Sequence, residues 1–185
     1  MRIVLIRHGA TKGNLERRYI GRTDEGLCPS GRESLDARRW PDTDFIAVSP
    51  MRRCIETVQR IYPGRAYTVI DDFKECDFGA FEGKNAQELS GNPEYQAWID
   101  SFGERPFPHG ERPSNFRQRT VRAFETLVKQ STPSLAIVAH GGTIMAILDR
   151  YGAPEKKYFD WHLPNAGMYE CRWNGEKLCV LRRLP

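Results

Sequence analysis

At 185 residues, 39% of them hydrophobic, the chain is long enough to bury one core; no apolar run approaches the roughly 20 residues of a membrane span, so a single domain over residues 1–185 that does not cross a membrane is expected. A formal charge of +4, from 28 Lys and Arg against 24 Asp and Glu, is too small an excess to argue for nucleic acid. Five cysteines without a CxxC pair indicate neither a disulfide framework nor a zinc site, and the start Met-Arg-Ile-Val-Leu-Ile lacks the features of a signal peptide, which together favour the cytoplasm.

Residues Arg2 to Ile6 form a short β-branched apolar run of the kind that makes a buried parallel strand. Arg7-His8-Gly9, followed by Thr11 and Asn14, then stands at the strand's carboxyl end, where open parallel sheets bind their ligands. Gly9 is expected to let the backbone approach a ligand closely. Taken alone, the triplet also suits a histidine that merely closes a strand. A helix over Ser30 to Trp40 and a strand over Phe45 to Val48 lead to Ser49-Pro50-Met51-Arg52-Arg53-Cys54, which opens a helix over Pro50 to Tyr62. A planar guanidinium suits bidentate contact with phosphate, and a helix N-terminus offers amide donors and a favourable dipole. Arg52 and Arg53, as helix neighbours, point in different directions, so one of them is the functional residue.

After a strand over Ala66 to Ile70 comes Glu75-Cys76-Asp77-Phe78-Gly79-Ala80-Phe81-Glu82-Gly83. Acidic loop residues are ordinarily just solvated. A carboxyl beside a bound phosphoryl group, however, has its pKa raised by the like charge and can protonate a leaving alkoxide. Ser101 to Pro113, with His109 among prolines and glycines, reads as a loop over the substrate site. The helix over Pro113 to Gln130 carries one apolar face, through Phe116, Val121, Phe124, Leu127 and Val128, which is core packing and implies no cofactor. The strand Leu135 to Ala139 runs into His140-Gly141-Gly142-Thr143 and a helix over Thr143 to Tyr151, repeating the form of the first motif. Two strands thus deliver a histidine each to one sheet edge. Two histidines also fit metal ligation, but no third ligand has recognisable spacing from them. Met168 to Trp173, the Asn174-Gly175 turn and Lys177 to Leu181 form a hairpin expected to close the sheet's edge. The alternation of elements predicts an α/β fold, a three-layer α/β/α sandwich with a mainly parallel central sheet and an antiparallel C-terminal hairpin.

These pieces in this order, from Leu5-Ile6-Arg7-His8-Gly9-Ala10-Thr11 through Asn14, Gly21-Arg22-Thr23-Asp24, Leu27, Ser49 to Cys54 and Glu75 to Gly83, to His140-Gly141-Gly142, resemble the histidine phosphatase, or phosphoglycerate mutase-like, superfamily. The resemblance covers nearly the whole chain. It implies a phosphomonoesterase acting through a phosphohistidine on a small phosphorylated metabolite. His8 would be the nucleophile, Arg7, Arg53 and His140 the phosphate pocket, Glu75 the proton donor, and Asn14, Thr11, Arg22 and Gly141 substrate contacts. The family register places the arginine four positions after the serine and so selects Arg53. Neither a metal nor another cofactor is implied, because Arg7 and Arg53 would hold His8 neutral and stabilise the transferring phosphoryl group.

Mutases of the superfamily are typically longer and carry an arginine-rich insertion, for which this chain offers only Arg105 and Arg112. A phosphatase is therefore expected, with a phosphoglycerate mutase-type transferase or a non-catalytic phospho-ligand binding module as the alternatives. Gly21-Arg22-Thr23-Asp24 and Pro108-His109-Gly110-Glu111 are similar to the alpha-ribazole phosphatase branch, which acts in cobalamin assembly, although Ala10 and the Pro113-Ser114 pair depart from it. Alpha-ribazole 5'-phosphate is the finer expectation for the substrate, and Phe102, Phe107 and Trp161 are expected at the mouth of the site, favouring a ring-bearing ligand. The partner is thus a small-molecule phosphomonoester, neither nucleic acid nor membrane, and the chain a monomer or homodimer.

Overall fold

The first strand has no polar residue between Arg2 and Arg7, so both of its faces require cover. In the computed structural model of the protein, which describes residues 1–130 and 132–185, β1 (Arg2–Arg7) buries Ile3 and Leu5 against one side and Val4 and Ile6 against the other, each 0% exposed. The Ile3 and Leu5 side is packed by Phe124 and Leu127 of α5 (Pro113–Val128) and by Ile144 and Ile147 of α6 (Gly141–Tyr151). The Val4 and Ile6 side is packed by Cys54 and Val58 of α3 (Arg52–Ile61), on which α2 (Pro29–Asp36) lies. Three layers result, and each fully buried Ile or Leu contributes about 1.5–3 kcal/mol of transfer free energy.

Within the middle layer β3 (Thr68–Val69), β2 (Phe45–Val48), β4 (Ser134–Ala139) and β1 lie side by side and parallel. β6 (Met168–Trp173) then pairs antiparallel with β1, and β7 (Leu178–Leu184) antiparallel with β6. The hairpin is not the outermost element, since β5 (Gly152–Ala153) pairs parallel with Leu178 and Cys179 of β7 and takes the edge. Strand register fixes where the site residues emerge. Arg7 lies opposite Ala139 and Val48 opposite Val138, so His8, Ser49 and His140 leave three adjacent strands at the same end.

Some elements are trimmed relative to the sequence reading where local chemistry stops them, while α6 starts earlier, at Gly141, and β7 runs on to Leu184. The strand expected over Ala66 to Ile70 pairs only at Thr68 and Val69, because it is exposed at the sheet's edge. α3 starts at Arg52 because Met51 is still extended, with ψ of 137°. Two short helices were not anticipated, α1 (Lys12–Leu15) and α4 (Pro93–Asp100); the N-cap of the second, Asn92, accepts from the amides of Glu94 and Tyr95. Asn-Pro at cap and first position is a recognised helix start, but no strong apolar period continues from it. No helix among the described residues is long and apolar enough to cross a membrane.

The expectation for Gly9 is corrected by its surroundings. A Cβ at Gly9 would lie 2.8 Å from the carbonyl oxygen of Gly31, so its smallness serves the contact with α2. The converse contact is tighter, since a Cβ at Gly31 would come within 2.1 Å of the Ala10 carbonyl oxygen. Gly31→Ala must therefore displace α2 from the backbone just after His8, at a cost of about 1–3 kcal/mol. A lowered urea midpoint with unchanged m-value is the expected result.

Candidate active site

Because β1 and β4 pair in parallel, the amide of His8 donates to the Ala139 carbonyl at 3.0 Å, and the imidazoles of His8 and His140 meet edge to face with centroids 5.2 Å apart. The His8 Nδ1 lies 2.7 Å from its neighbour's carbonyl, Gly9 O. A carbonyl only accepts, so Nδ1 carries the proton and the lone pair sits on Nε2. Burial, followed by the nearby charges of Arg53 and Arg7, holds the His8 pKa well below the ordinary 6.5. His8 is therefore a neutral imidazole with a free nitrogen lone pair.

Arg53 is 0% exposed and points inward, while Arg52 turns outward to Glu56 at 2.6 Å. The Arg53 guanidinium donates from Nη1 to Thr23 O at 2.8 Å, from Nη2 to Gly21 O at 2.9 Å, and from Nε to His140 Nδ1 at 3.2 Å. With Nδ1 accepting, the proton of neutral His140 resides on Nε2, which donates to Ser49 Oγ at 2.7 Å. Burial and the charge of Arg53 keep the His140 pKa well below 6.5. Both nitrogens of His140 are thus spoken for, and with Arg53 it stands behind His8 rather than in the cavity wall. The α3 N-terminus is likewise engaged, because the Arg52 amide donates to Asp24 Oδ1 at 2.6 Å. Cys54 is 3.6 Å from His140 Nε2, and burial pushes its thiol up to about 12, which keeps it protonated.

Arg7 reaches the cavity from the end of β1. Its Nη1 donates to Leu163 O at 2.6 Å and meets His162 Nε2 at 3.3 Å, while its Nε is buried without a partner among the described residues. The edge formed by Nε and Nη2 is the geometry that binds two phosphate oxygens at once. Among the described residues neither Arg7 nor Arg53 has a carboxylate at ion-pair distance. Glu75 lines the same cavity as Arg7 and accepts from the amides of Cys76 at 2.9 Å and Gly142 at 3.1 Å. Burial raises its pKa from the ordinary 4.5, against the opposing pull of those amides and of the two arginines. The site therefore combines two cations, a neutral nucleophilic nitrogen and a carboxyl biased toward its protonated form.

These groups open into a cavity of about 240 Å³. Arg7, His8, Asn14, Glu75 and Gly141 line it directly. Asn14 Oδ1 accepts from the Thr11 amide at 3.3 Å and from Asn165 Nδ2 at 3.0 Å, which leaves its own amide group for the cavity. Thr11 does not reach the cavity: it is buried, caps the turn α1 (Lys12–Leu15) and bonds to Glu25. Arg22 is also elsewhere, with a side chain 74% exposed and paired to Asp77 at 3.0 Å. The loop from Ser101 to Pro113 contributes Gly103, Phe107 and Pro113 to the wall. Two of the expected aromatics are corrected. Phe102 is 82% exposed, and Trp161 is 0% exposed, packed in the core against Tyr169, because the turn Tyr158–Trp161 folds beneath α6. Their places are taken by Tyr19, Phe78, Trp98 and Tyr158. No group of three or more His, Cys, Asp or Glu among the described residues is arranged to hold a metal.

The sequence reading assigned no role to Ser49, Thr57, Trp98, His162 or Asn165. Thr57 accepts the Gly9 amide at 3.0 Å, and Asn165 Nδ2 reaches the His8 carbonyl at 3.2 Å, so both fix the backbone around His8. Ser49 was visible as the residue ending a strand beside Arg53; the others carry no local signal.

The site thus gathers a neutral histidine, two arginines without a carboxylate partner among the described residues and a buried carboxyl, and the chain belongs to the histidine phosphatase superfamily (branch 1), whose family model matches residues 3–184. It is a phosphatase. It is 32% identical to a Hydrogenobacter thermophilus protein provisionally named phosphoserine phosphatase 2, across 99% of this chain and 98% of that protein. It is 26% identical to the adenosylcobalamin/alpha-ribazole phosphatase of Escherichia coli, across 100% of this chain and 95% of that one. The crystal structure of the alpha-ribazole phosphatase from Shigella flexneri shares the fold, with a TM-score of 0.85 at 24% identity over 100% of this chain and 96% of the other.

Because His8 has a folded pKa below its unfolded one, the unfolded chain binds more protons below pH 6.5. The contribution of neutral His8 to stability is thus fully present above pH 6.5 and lost as pH falls from there through the depressed folded value. Glu75 acts in the opposite sense, its contribution declining as pH rises from 4.5 through its raised value. Urea unfolding across this range should show a shallower loss of stability toward acid in His8→Gln than in the wild type.

Proposed function

We propose that the chain hydrolyses a small phosphomonoester by transferring its phosphoryl group first to Nε2 of His8 and then to water. The observation that carries this reading is the His8 Nδ1 contact with Gly9 O, which keeps the ring proton on Nδ1 and leaves the lone pair on Nε2 of a residue that lines the cavity. Nε2 attacks phosphorus as the ester P–O bond breaks, and Glu75 delivers its proton to the departing alkoxide. Arg7, through Nε and Nη2, and the Arg53 charge behind His8 offset the negative charge gathering on the equatorial oxygens. Asn14 and the amide end of α6 at Gly141 supply further donors. In the second step Glu75, now a carboxylate, takes a proton from water. The resulting oxygen nucleophile attacks phosphorus, the P–N bond breaks and its electron pair returns to Nε2. Phosphate leaves with Glu75 protonated again. His140 serves by holding Arg53 and Ser49 in register.

The finer substrate is alpha-ribazole 5'-phosphate, whose aromatic base suits a cavity walled by Tyr19, Phe78, Trp98 and Phe107. The name of the Hydrogenobacter relative supports a second reading, phosphoserine. Phosphoserine carries a carboxylate, and the arginines nearest the mouth, Arg18 and Arg117, are already paired with Glu88 at 2.6 Å and Glu104 at 2.8 Å. The ring-bearing ester is therefore favoured.

Quenching during turnover should trap acid-labile, alkali-stable phosphate on the wild-type chain and none on His8→Ala; a stable phosphoenzyme at another residue would overturn the assignment. Glu75→Gln should lower kcat/KM about 10²–10⁴-fold on an alkyl phosphomonoester and much less on p-nitrophenyl phosphate, whose leaving group needs no proton. Trp98→Ala should reduce the preference for alpha-ribazole 5'-phosphate over phosphoserine about 3- to 10-fold, measured as the ratio of kcat/KM values.

A further inference from the structure

Glu75 comes to the site from backbone with little secondary structure of its own, a single turn at Asp71–Phe73 and then an extended Lys74. Such backbone does not hold a carboxyl to a fraction of an ångström unless something outside it satisfies its carbonyls. The group that does so is Arg119, from the middle of α5. Its Nη1 donates to Asp72 O at 2.7 Å and Lys74 O at 2.8 Å, and its Nη2 donates to Glu75 O at 3.2 Å. Its remaining donors form a bidentate pair with Glu111, Nε to Oε1 and Nη2 to Oε2, both at 2.8 Å. All five guanidinium N–H groups are thereby used. Glu111 is itself fixed on the far side of the same segment, because its amide donates to Asp77 O at 2.9 Å.

Arg119 thus grips the carbonyls on the near side of the Glu75 side chain, and Glu111 the backbone just beyond it. The pair also joins this segment to the loop that supplies Phe107 to the cavity wall. Resting on the assignment of Glu75 as proton donor, we propose that Arg119, locked by Glu111, is the positioning residue that sets Glu75 against the leaving oxygen. A lysine does not substitute for it, since an ammonium lacks the planar fork that reaches three carbonyls and both carboxylate oxygens together.

The test separates a positioning role from a general structural one by leaving group. In Arg119→Lys, kcat/KM on β-glycerol phosphate should fall about 10- to 100-fold, the scale of an ångström-sized misplacement, while kcat/KM on p-nitrophenyl phosphate stays within about threefold. In a Glu75→Gln background the same change should cost no more than about threefold on either ester, because there is no proton donor left to misplace. Glu111→Gln, which keeps an acceptor for Arg119 but loses the ionic lock, should show the same selective pattern at smaller size, so the proposal stays testable if Arg119→Lys folds poorly. Equal losses on both esters, or an undiminished loss in the Glu75→Gln background, would overturn the proposal and leave Arg119 as scaffold. A Glu75→Gln variant that itself shows no dependence on leaving group would remove the proton-donor assignment on which the proposal rests.

Discussion

A guanidinium enclosed without a carboxylate is the constraint around which this site is built. Removing the Arg53 charge from water is costly unless its donors find partners. The protein answers with carbonyls of Gly21 and Thr23 and the lone pair of His140, drawn from distant parts of the chain. Accepting from Arg53 sends the His140 proton to Nε2, where Ser49 receives it. The same enclosed charge, with burial, keeps His8 neutral. The turn at residues 20–23, the ends of β2 and β4, the tautomer of His140 and the neutrality of His8 are therefore tied to one buried cation.

The second arginine is used differently. Arg7 spends Nη1 on Leu163 and His162 and keeps Nε buried and unpartnered. Together with a carboxyl that burial biases toward its neutral form, this gives the cavity a positive balance suited to a dianionic phosphoryl group. Around that charged floor the walls are aromatic: Tyr19 meets Phe78 and Trp98, and Phe107 meets the same two, with ring centroids 5.1–5.9 Å apart. A charged end for the phosphate and an apolar end for what it is attached to is the division of labour expected of a small-molecule esterase.

Much of this was legible residue by residue. The doubly buried strands announced themselves as unbroken apolar runs, and with them the two strand-end histidines. Helical geometry required Arg52 and Arg53 to part, and they do, outward to Glu56 and inward to His140. Apart from Phe107, the aromatic wall was not legible, because Trp98 lies on a short helix with a weak apolar period, and a tryptophan beside the site looks in sequence like Trp161, which went into the core. Gly9 was misread for a similar reason: a glycine next to a nucleophile suggests room for a ligand, and only the position of α2 shows what fills that room. Thr11 and Arg22 belong to motifs near the site, yet a cap and an exposed ion pair take their side chains away from the cavity.

By itself the sequence determined the order of the long core strands and their flanking helices, the two histidines at strand ends and the kind of chemistry that arginines, histidines and a carboxyl carry, since these rest on local periodicity and on residue type. Only the tertiary structure decided where the His140 proton resides, how Glu75 is held, and which aromatics line the cavity. The physical reason is distance along the chain. Arg7 meets His162 across 155 positions, Arg53 meets His140 across 87, and Arg119 meets Glu75 across 44, and contacts at such separations are fixed by strand register and helix packing rather than by neighbouring residues.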